Sequence, residues 1–289
     1  LQKAPAMPAN TASSVIMQMN GDGHVKMMIG AVDIGQGAIT ALAQIAAQEL
    51  DIPIEHIEIS AEIDTRANPY DWNTVASKLT FMGGNAVIKA SREMLSKMKA
   101  VAAQALRTDP ENLLHANGEI FHRHNPNRRM SYKDVALGYM YPNGTGIGGP
   151  LISSGSSIAD GLTNLHPETG QGYPAAVWTF GAHAVEIEVD VETVVITVLK
   201  VASAFDIGQV INEKLVYGQI CGGVLQGLGS AILEGYKFND KQQLMNPSFT
   251  DNKIPTMKDI PVEVVPIYIE NPQHNGPYGA RGVGEHPMI

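Results

Sequence analysis

Glycine and proline break this sequence at short intervals, and no other feature limits its folding options as much. The 29 glycines and 17 prolines are spread along all 289 residues. Both punctuate helices and strands, so the chain must be built of short elements joined by many turns. No fixed-period repeat runs through it. Between the breaks, apolar periodicity assigns the elements. Residues 24–33 read as a buried strand, and Ala38 to Leu50 as a helix with apolar residues at three- and four-residue spacing. Residues 56–62 read as a strand, with Ile57 and Ile59 alternating against Glu58 and Ser60. A second helix is expected from about Asn85 to Leu106, and a hairpin over residues 118–131, with Ser131 capping a short helix. Residues 142–176, dense in glycine and proline, read as one irregular region: either a functional loop or a surface excursion. From Val185 to Asp190 apolar and acidic residues alternate, and a turn near Glu192 leads into the β-branched run Val194 to Val201. This predicts an antiparallel hairpin with one wet face. Asn212 reads as the cap of a helix from about Glu213 to Leu233. The expected class is α+β, with mixed sheets, packed helices and no regular βαβ series.

Composition narrows the function. With 44% hydrophobic and 17% charged residues, the chain does not fit intrinsic disorder. Its length suits one large domain or two ordinary ones. The 20 basic and 29 acidic residues give a formal charge of −9. That argues against generic nucleic-acid binding, which needs clustered Lys and Arg. One cysteine, Cys221, cannot supply a disulfide framework, an all-cysteine zinc site or an iron–sulfur cluster. No stretch reaches the ~18 uninterrupted apolar residues of a membrane span. The first residues lack a signal-peptide layout, so no membrane association is expected and the expected compartment is the cytoplasm. The chain opens at Leu1 and stops at Ile289 directly after a Gly-rich motif, which suggests a piece of something larger or one subunit of several.

Four segments offer chemistry. Asp33-Ile-Gly-Gln-Gly37 stands between a strand and a helix, where glycines and helix-start N–H groups can cradle an anion. The Gln36 amide can donate and accept at once. Thr40 stands where a dinucleotide fingerprint needs its third glycine, so on its own this segment also fits a plain tight turn. Thr74 to Thr80, followed by Gly83-Gly84, brings small residues and hydroxyls to a helix entry; a capped entry with close glycine packing is the plainer reading. In Gln219 to Gly229, the glycines at 222, 223, 227 and 229 weaken a helix by roughly 1 kcal/mol each. Either close backbone packing or approach of a cofactor accounts for them. Cys221 fits a buried small hydrophobe better than a nucleophile. In Gly279-Ala-Arg-Gly-Val-Gly-Glu-His-Pro287, Glu285 follows a flexible turn and is either a general base or surface decoration.

Taken in order, the stretches VDIGQG with QIAAQELDIP, TVASKLTFMGGNAV, HAVEIEVDVET with FDIGQVIN, GQICGGVLQGLGSAILEG, NPSFTDNKIPTMKDIP and GARGVGEHPMI resemble the molybdenum-binding large subunit of the xanthine oxidase family of molybdenum hydroxylases. The resemblance runs from about residue 15 to residue 289. It implies a molybdenum–molybdopterin cofactor, often carried in bacteria as the cytosine dinucleotide. It implies that Gly35, Gln36 and Gly37 cradle the cofactor. Ala76 and Ser77, with Lys78 and Thr80, would lie against the molybdenum and the pterin. Asn212, Gln219, Arg281, Gly282, Val283 and Gly284 would add contacts. No side chain here is expected to ligate the metal. Glu285 matches the glutamate beside the molybdenum, which in the family acts as general base in hydroxylating an electron-poor carbon with oxygen from water. The whole chain, 1–289, is expected to form one cofactor-binding module with subregions 1–110, 111–181 and 182–289.

The departures from the family are equally plain. Its large subunit is more than twice as long, and the half holding another cofactor glutamine and much of the substrate pocket is missing. The further helix expected after the glutamate motif is missing too. Iron–sulfur clusters and FAD would sit on partner chains or domains. The implied partners are the other half of the molybdenum-binding subunit, a [2Fe–2S] subunit and a flavin subunit. Two other readings stand beside an enzyme subunit: a folded fragment or assembly scaffold that binds no cofactor alone, and a nucleotide-binding module using Gly35-Gln-Gly37. Trp72 is a candidate pocket residue, with a core or surface role equally open.

Overall fold

A computed structural model describes residues 11–60, 62–75 and 77–289. These fall into two compact units. One comprises the chain up to Ala176 with Asn275–Pro277, the other Val177–His274 with Tyr278–Ile289.

The first unit begins with β1 (Ala12–Met19) and β2 (Val25–Ile29), followed by α1 (Ala38–Leu50), β3 (Ile57–Ile59) and α2 (Leu79–Leu106). A meander β4 (Leu113–Ala116), β5 (Glu119–His122), β6 (Asn125–Ser131) follows, then the single turn α3 (Tyr132–Val135). The unit continues through β7 (Tyr139–Met140), β8 (Gly146–Ile147) and β9 (Ile152–Ile158). Its main sheet has four strands in the order β3-β2-β1-β9, with β2 and β3 parallel and the other pairs antiparallel. Alternation puts Val15, Met17, Met19, Val25, Met27 and Ile29 on one buried face. Helix α2 packs over β1 and β9, and α1 packs against α2. The helix expected at 38–50 and the hairpin closed by Ser131 form as read, and the Ser131–Asp134 capping box is complete.

Two expectations in this unit fail. Helix α2 starts at Leu79, not near Asn85, because Gly83 and Gly84 lie inside it. A Cβ on Gly84 would stand 2.8 Å from Pro277 Cγ and 2.9 Å from Ile45 Cδ1, so the glycine serves close packing and not a turn. The region 142–176 is not wholly irregular: Ile152–Ile158 is a full strand paired along β1. Ser153, Gly155 and Ser157 face the helix with the buried methionines, and a Cβ on Gly155 would stand 2.1 Å from the Ala86 carbonyl oxygen. Only small residues fit between that sheet and that helix, which is why the strand lacks an apolar signature.

The second unit holds β10 (Gly181–Val189), β11 (Ile196–Asp206), α4 (Glu213–Leu228) with a π-helical turn Gly229–Leu233, and β12 (Glu263–Ile269). The order is β10-β11-β12, with the expected antiparallel hairpin first and β12 added parallel at the edge. Strand β12 had no sequence reading; its Pro266 is tolerated because an edge strand need not donate on both sides. Asp190 closes the hairpin turn by accepting from the N–H groups of Glu192 and Thr193, which hold its carboxyl below the usual range. The core is small: Val201, Phe205, Ile207, Ile220 and Val224. By length and composition alone the helix Glu213–Leu233 suffices to cross a membrane. The structure uses its small-residue face for packing within the unit, as described below.

Candidate functional site

The first two segments lie side by side in the first unit. Where β2 ends, the chain turns through Gly35 and Gly37, both at positive φ, into α1. The expected anion cradle is engaged by the chain itself. Asp33 Oδ1 accepts from the N–H groups of Gly35 and Gly37 at 2.9 and 3.2 Å, and Oδ2 accepts from Ile39 at 3.3 Å. Gln36 is folded onto the same loop: its Oε1 accepts from the Ile34 N–H at 2.7 Å. The second segment is stitched to this loop by Thr74, whose Oγ1 accepts from the Val32 N–H at 3.2 Å and donates to the Val32 carbonyl at 3.0 Å. Trp72 is half-buried, with its backbone N–H on the Ala12 carbonyl. Ser77 adopts a left-handed backbone, φ 53°, and Thr80 sits in the first turn of α2, half-buried. Ala76 lies outside the described residues.

Lys78 stands among the expected cofactor contacts, but the structure gives its side chain a different partner. Its ammonium is 1% exposed, 2.9 Å from Asp71 Oδ1, with the Asp71 side chain 2% exposed. It also donates to Ser13 Oγ at 3.3 Å, and Ser13 donates to Asp71 Oδ2 at 2.5 Å. This buried trio ties the second segment to β1. Neither Asp71 nor Ser13 was singled out in the sequence; the signal available was an acid seven residues before a lysine.

The other two segments meet in the second unit. Asn212 caps α4, its Oδ1 accepting from the Leu215 N–H at 3.1 Å. Gln219 is half-buried two turns on, at the same angular position at 100° per residue. The glycines of α4 divide. A Cβ on Gly223 would stand 2.6 Å from Pro287 Cβ, and one on Gly227 2.4 Å from the Met288 carbonyl oxygen. Gly222 has nothing within 4 Å. Two of the four glycines therefore seat the turn that follows Glu285. That turn, His286–Met288, buries Pro287 and leaves Glu285 exposed at its start. Val283 packs on the core, Gly282 is half-buried and Gly284 is exposed.

Arg281 holds the other flank. Its backbone N–H donates to the Ile207 carbonyl at 2.9 Å, beside the bridge between Gly208 and Ala280. Its side chain is 9% exposed and pairs with Asp206 at 3.3 Å while donating to the Trp178 carbonyl at 2.8 Å. His286 meets Phe205 edge-on with ring centroids 4.7 Å apart, and His183 does so at 5.1 Å. Burial pushes the His286 imidazole down to about 4, with His183 adding to the shift. Sequence reading passed over His183, Phe205, Asp206 and His286 as site-building residues.

The residues fit an anionic, hydrogen-bonding cofactor by one test. Arg281 Nε, sealed from solvent, has no hydrogen-bond partner among the described residues, and neither do Nε2 of His183 and of His286. Buried polar atoms are ordinarily paired, so one unmet guanidinium N–H and two unpaired ring nitrogens around the Gly-rich turn leave capacity for a polar group.

Comparison with known proteins identifies the group. The family model for the molybdopterin cofactor-binding domain matches residues 2–261. The putative xanthine dehydrogenase molybdenum-binding subunit of Escherichia coli is 31% identical over 94% of this chain and 34% of its own length. The nicotine 6-hydroxylase large subunit of Paenarthrobacter nicotinovorans is 30% identical over 94% of this chain and 32% of its own. Among solved structures, quinoline 2-oxidoreductase from Pseudomonas putida superposes with TM-score 0.80 at 26% identity, covering 97% of this chain and 34% of that one. The α+β class agrees with these neighbours. The chain spans about a third of the length of the relatives it matches. With most of its sequence matched, the chain belongs to the molybdopterin cofactor-binding domain family.

Proposed function

We propose that this chain is the C-terminal half of the molybdenum-binding portion of a molybdenum hydroxylase, one cofactor-binding module that acts with the missing half. The match over residues 2–261 carries the reading. The substrate class is an electron-poor carbon of an N-heterocycle or aldehyde, with water as the oxygen source. When bound, the molybdenum–molybdopterin group, taken as the cytosine dinucleotide, supplies the redox and oxygen-transfer chemistry. The chain's own residues bind, orient and move a proton. Gly35, Gln36 and Gly37 would cradle it once the Gly35 and Gly37 N–H groups, held by Asp33, and the Gln36 amide, held on Ile34, are released to it. Ala76, Ser77, Lys78 and Thr80 line the cofactor through backbone and hydroxyl groups, and Asn212 and Gln219 through amides. Gly282, Val283 and Gly284 let the chain pass close by, and Arg281 Nε remains as a donor. Glu285 is the general base; its carboxylate is exposed at the start of the His286–Met288 turn. Iron–sulfur and flavin groups on partner chains would remove the electrons, in a cytoplasmic complex without membrane or nucleic acid.

Glu285→Gln in the assembled enzyme tests this. Folding and molybdenum content should be unchanged while turnover falls by about 10²–10⁴-fold. Near-normal hydroxylation would remove Glu285 from the role. The coverage of only a third of each relative favours one alternative, a folded fragment or scaffold that binds no cofactor alone. Molybdenum retained by the isolated chain excludes the scaffold; where the isolated chain holds none, both readings stand and metal analysis of the assembled enzyme decides between them.

A further inference from the structure

In a chain with a formal charge of −9, the stretch His122 to Arg129 carries three arginines, two histidines and no acid. It forms the turn between β5 and β6 and the start of β6. The register pairs Leu113 with His122 and His115 with Ile120, so these four side chains share one face of the meander. Leu113 and Ile120 are buried, so that face points inward, and both histidines on it are half-buried. Arg128 fixes how the hairpin lies against α2, because its guanidinium donates to the Leu106 and Arg107 carbonyls at the helix C-terminus. Lys99 stands seven residues before Leu106, on the same side of the helix, and is half-buried. Cations therefore face one another here with no acid between them. Burial and then Arg123 hold the Lys99 ammonium below its usual range. Burial and then Lys99 push His115 down. Burial, followed by Arg128, His124 and Arg123, does the same to His122. The acids of the neighbourhood are taken: Glu49 pairs with Arg92 at 3.1 Å, Glu119 pairs with Arg129 at 3.3 Å, and Asp51 accepts from the Asn117 N–H at 3.0 Å. Neither Lys99 nor Arg123 has a carboxylate partner among the described residues. Partly desolvated like charges repel more strongly than in water, and an anion seated among them would relieve that repulsion.

We propose that Lys99, Arg123 and His122 form a binding site for a phosphate group, either free or carried on a nucleotide. A phosphate offers acceptor oxygens in several directions, which suits an ammonium, a guanidinium fork and an imidazole arriving from two elements. The His122 ring is already set for this. Its Nδ1 accepts from the His124 N–H at 3.2 Å, so the ring proton sits on Nε2 and can be donated. The half-buried position of Lys99 selects a compact anion. An acidic peptide would reach the exposed Arg123 and His124 first, and the net charge of −9 opposes nucleic acid. Lys99 lies about 30 Å along α2 from the Ser77–Thr80 segment, within the first unit. The inference therefore does not depend on the cofactor reading.

Calorimetric titration of the purified chain tests this, with inorganic phosphate, with AMP, and with sodium chloride matched in ionic strength. Phosphate should bind saturably, and Arg123→Gln should weaken it by about 10- to 100-fold. Arg123 is exposed, so that variant should keep the circular dichroism of the parent. Lys99→Met should abolish binding and raise the unfolding temperature in phosphate-free buffer, because it removes a half-buried cation from among others. A lysine that served only the fold would lower that temperature when replaced. Equal affinity for phosphate and AMP assigns the site to free phosphate, and AMP tighter by about 10-fold or more assigns it to a nucleotide; both results uphold the site. Heats indistinguishable from the chloride control, binding unchanged in both variants, a lowered unfolding temperature for Lys99→Met, or a polyglutamate peptide that binds where phosphate does not would each overturn the proposal.

Discussion

Lys78 separates a structural reading of the small-residue segment from a cofactor-contact reading. Lys78→Met keeps the apolar stem and removes the ammonium. Asp71, 2% exposed, then keeps Ser13 as its remaining side-chain partner among the described residues. Breaking one side of a buried pair costs about 3–5 kcal/mol, because the stranded charge has lost its solvation. For a unit of this size each kcal/mol moves the unfolding temperature by roughly 2–4 °C. The expected drop is therefore about 6–20 °C, read by calorimetry on the isolated chain without cofactor. Adding Asp71→Asn removes the stranded charge and still offers Ser13 an oxygen. The double variant should regain most of the loss, since a buried pair replaced as a whole is often neutral in stability. If Lys78→Met melts within about 2 °C of the parent while the assembled enzyme loses its molybdenum, the ammonium serves the cofactor and the buried-trio argument is wrong.

Other expectations follow from the same geometry. Gly223→Ala should destabilise the second unit by about 1–3 kcal/mol, because its Cβ would stand 2.6 Å from Pro287. It should also slow turnover in the assembled enzyme by displacing the turn that carries Glu285. Gly222→Ala, with open space around it, should stabilise by about 0.5–1 kcal/mol; chemical denaturation compares the two. Gly155→Ala forces β9 away from α2 and should lower stability of the first unit by about 1–3 kcal/mol, with hydrogen exchange rising along β9. His286 titrates near 4 when folded, from an ordinary value of 6.5. The unfolded chain thus takes up the proton first, and stability should fall as pH drops from about 6.5 to about 4. Urea midpoints across that window should lose part of their slope in His286→Phe, and an unchanged slope would show that burial of this imidazole is not the cause.

Much of the fold was legible because its signals are local. Helix α1, the Ser131 capping box, the Asp190 hairpin turn and the Asn212 cap each follow from residues a few positions apart. What escaped depends on partners far along the chain. Strand β9 reads as a loop because the helix above it allows nothing larger than serine on its inward side, and α2 is expected to start near Asn85 although close packing of Gly83-Gly84 is the plainer reading; the sequence cannot name Pro277 and Ile45 as the partners that put Gly84 inside the helix. The same limit governs the site. A motif gives the identity of a residue and not the direction of its side chain. Lys78 and Arg281 are the two fixed cations in the four segments, and the family resemblance alone puts them among the cofactor contacts. Each instead has a carboxylate from its own unit: Asp71, seven residues back, and Asp206, on a strand 75 residues earlier. Asp33 likewise takes the N–H groups at the start of α1. A large anionic cofactor on the proposed reading would meet glycine backbone, amides, hydroxyls and one unmet guanidinium donor, with little net positive charge. Its affinity should then depend only weakly on ionic strength. Lysine and arginine clamps on the surface, by contrast, are screened within a Debye length of about 8 Å at physiological salt. Release of the cofactor from the assembled enzyme by moderate salt alone would contradict that arrangement of neutral donors.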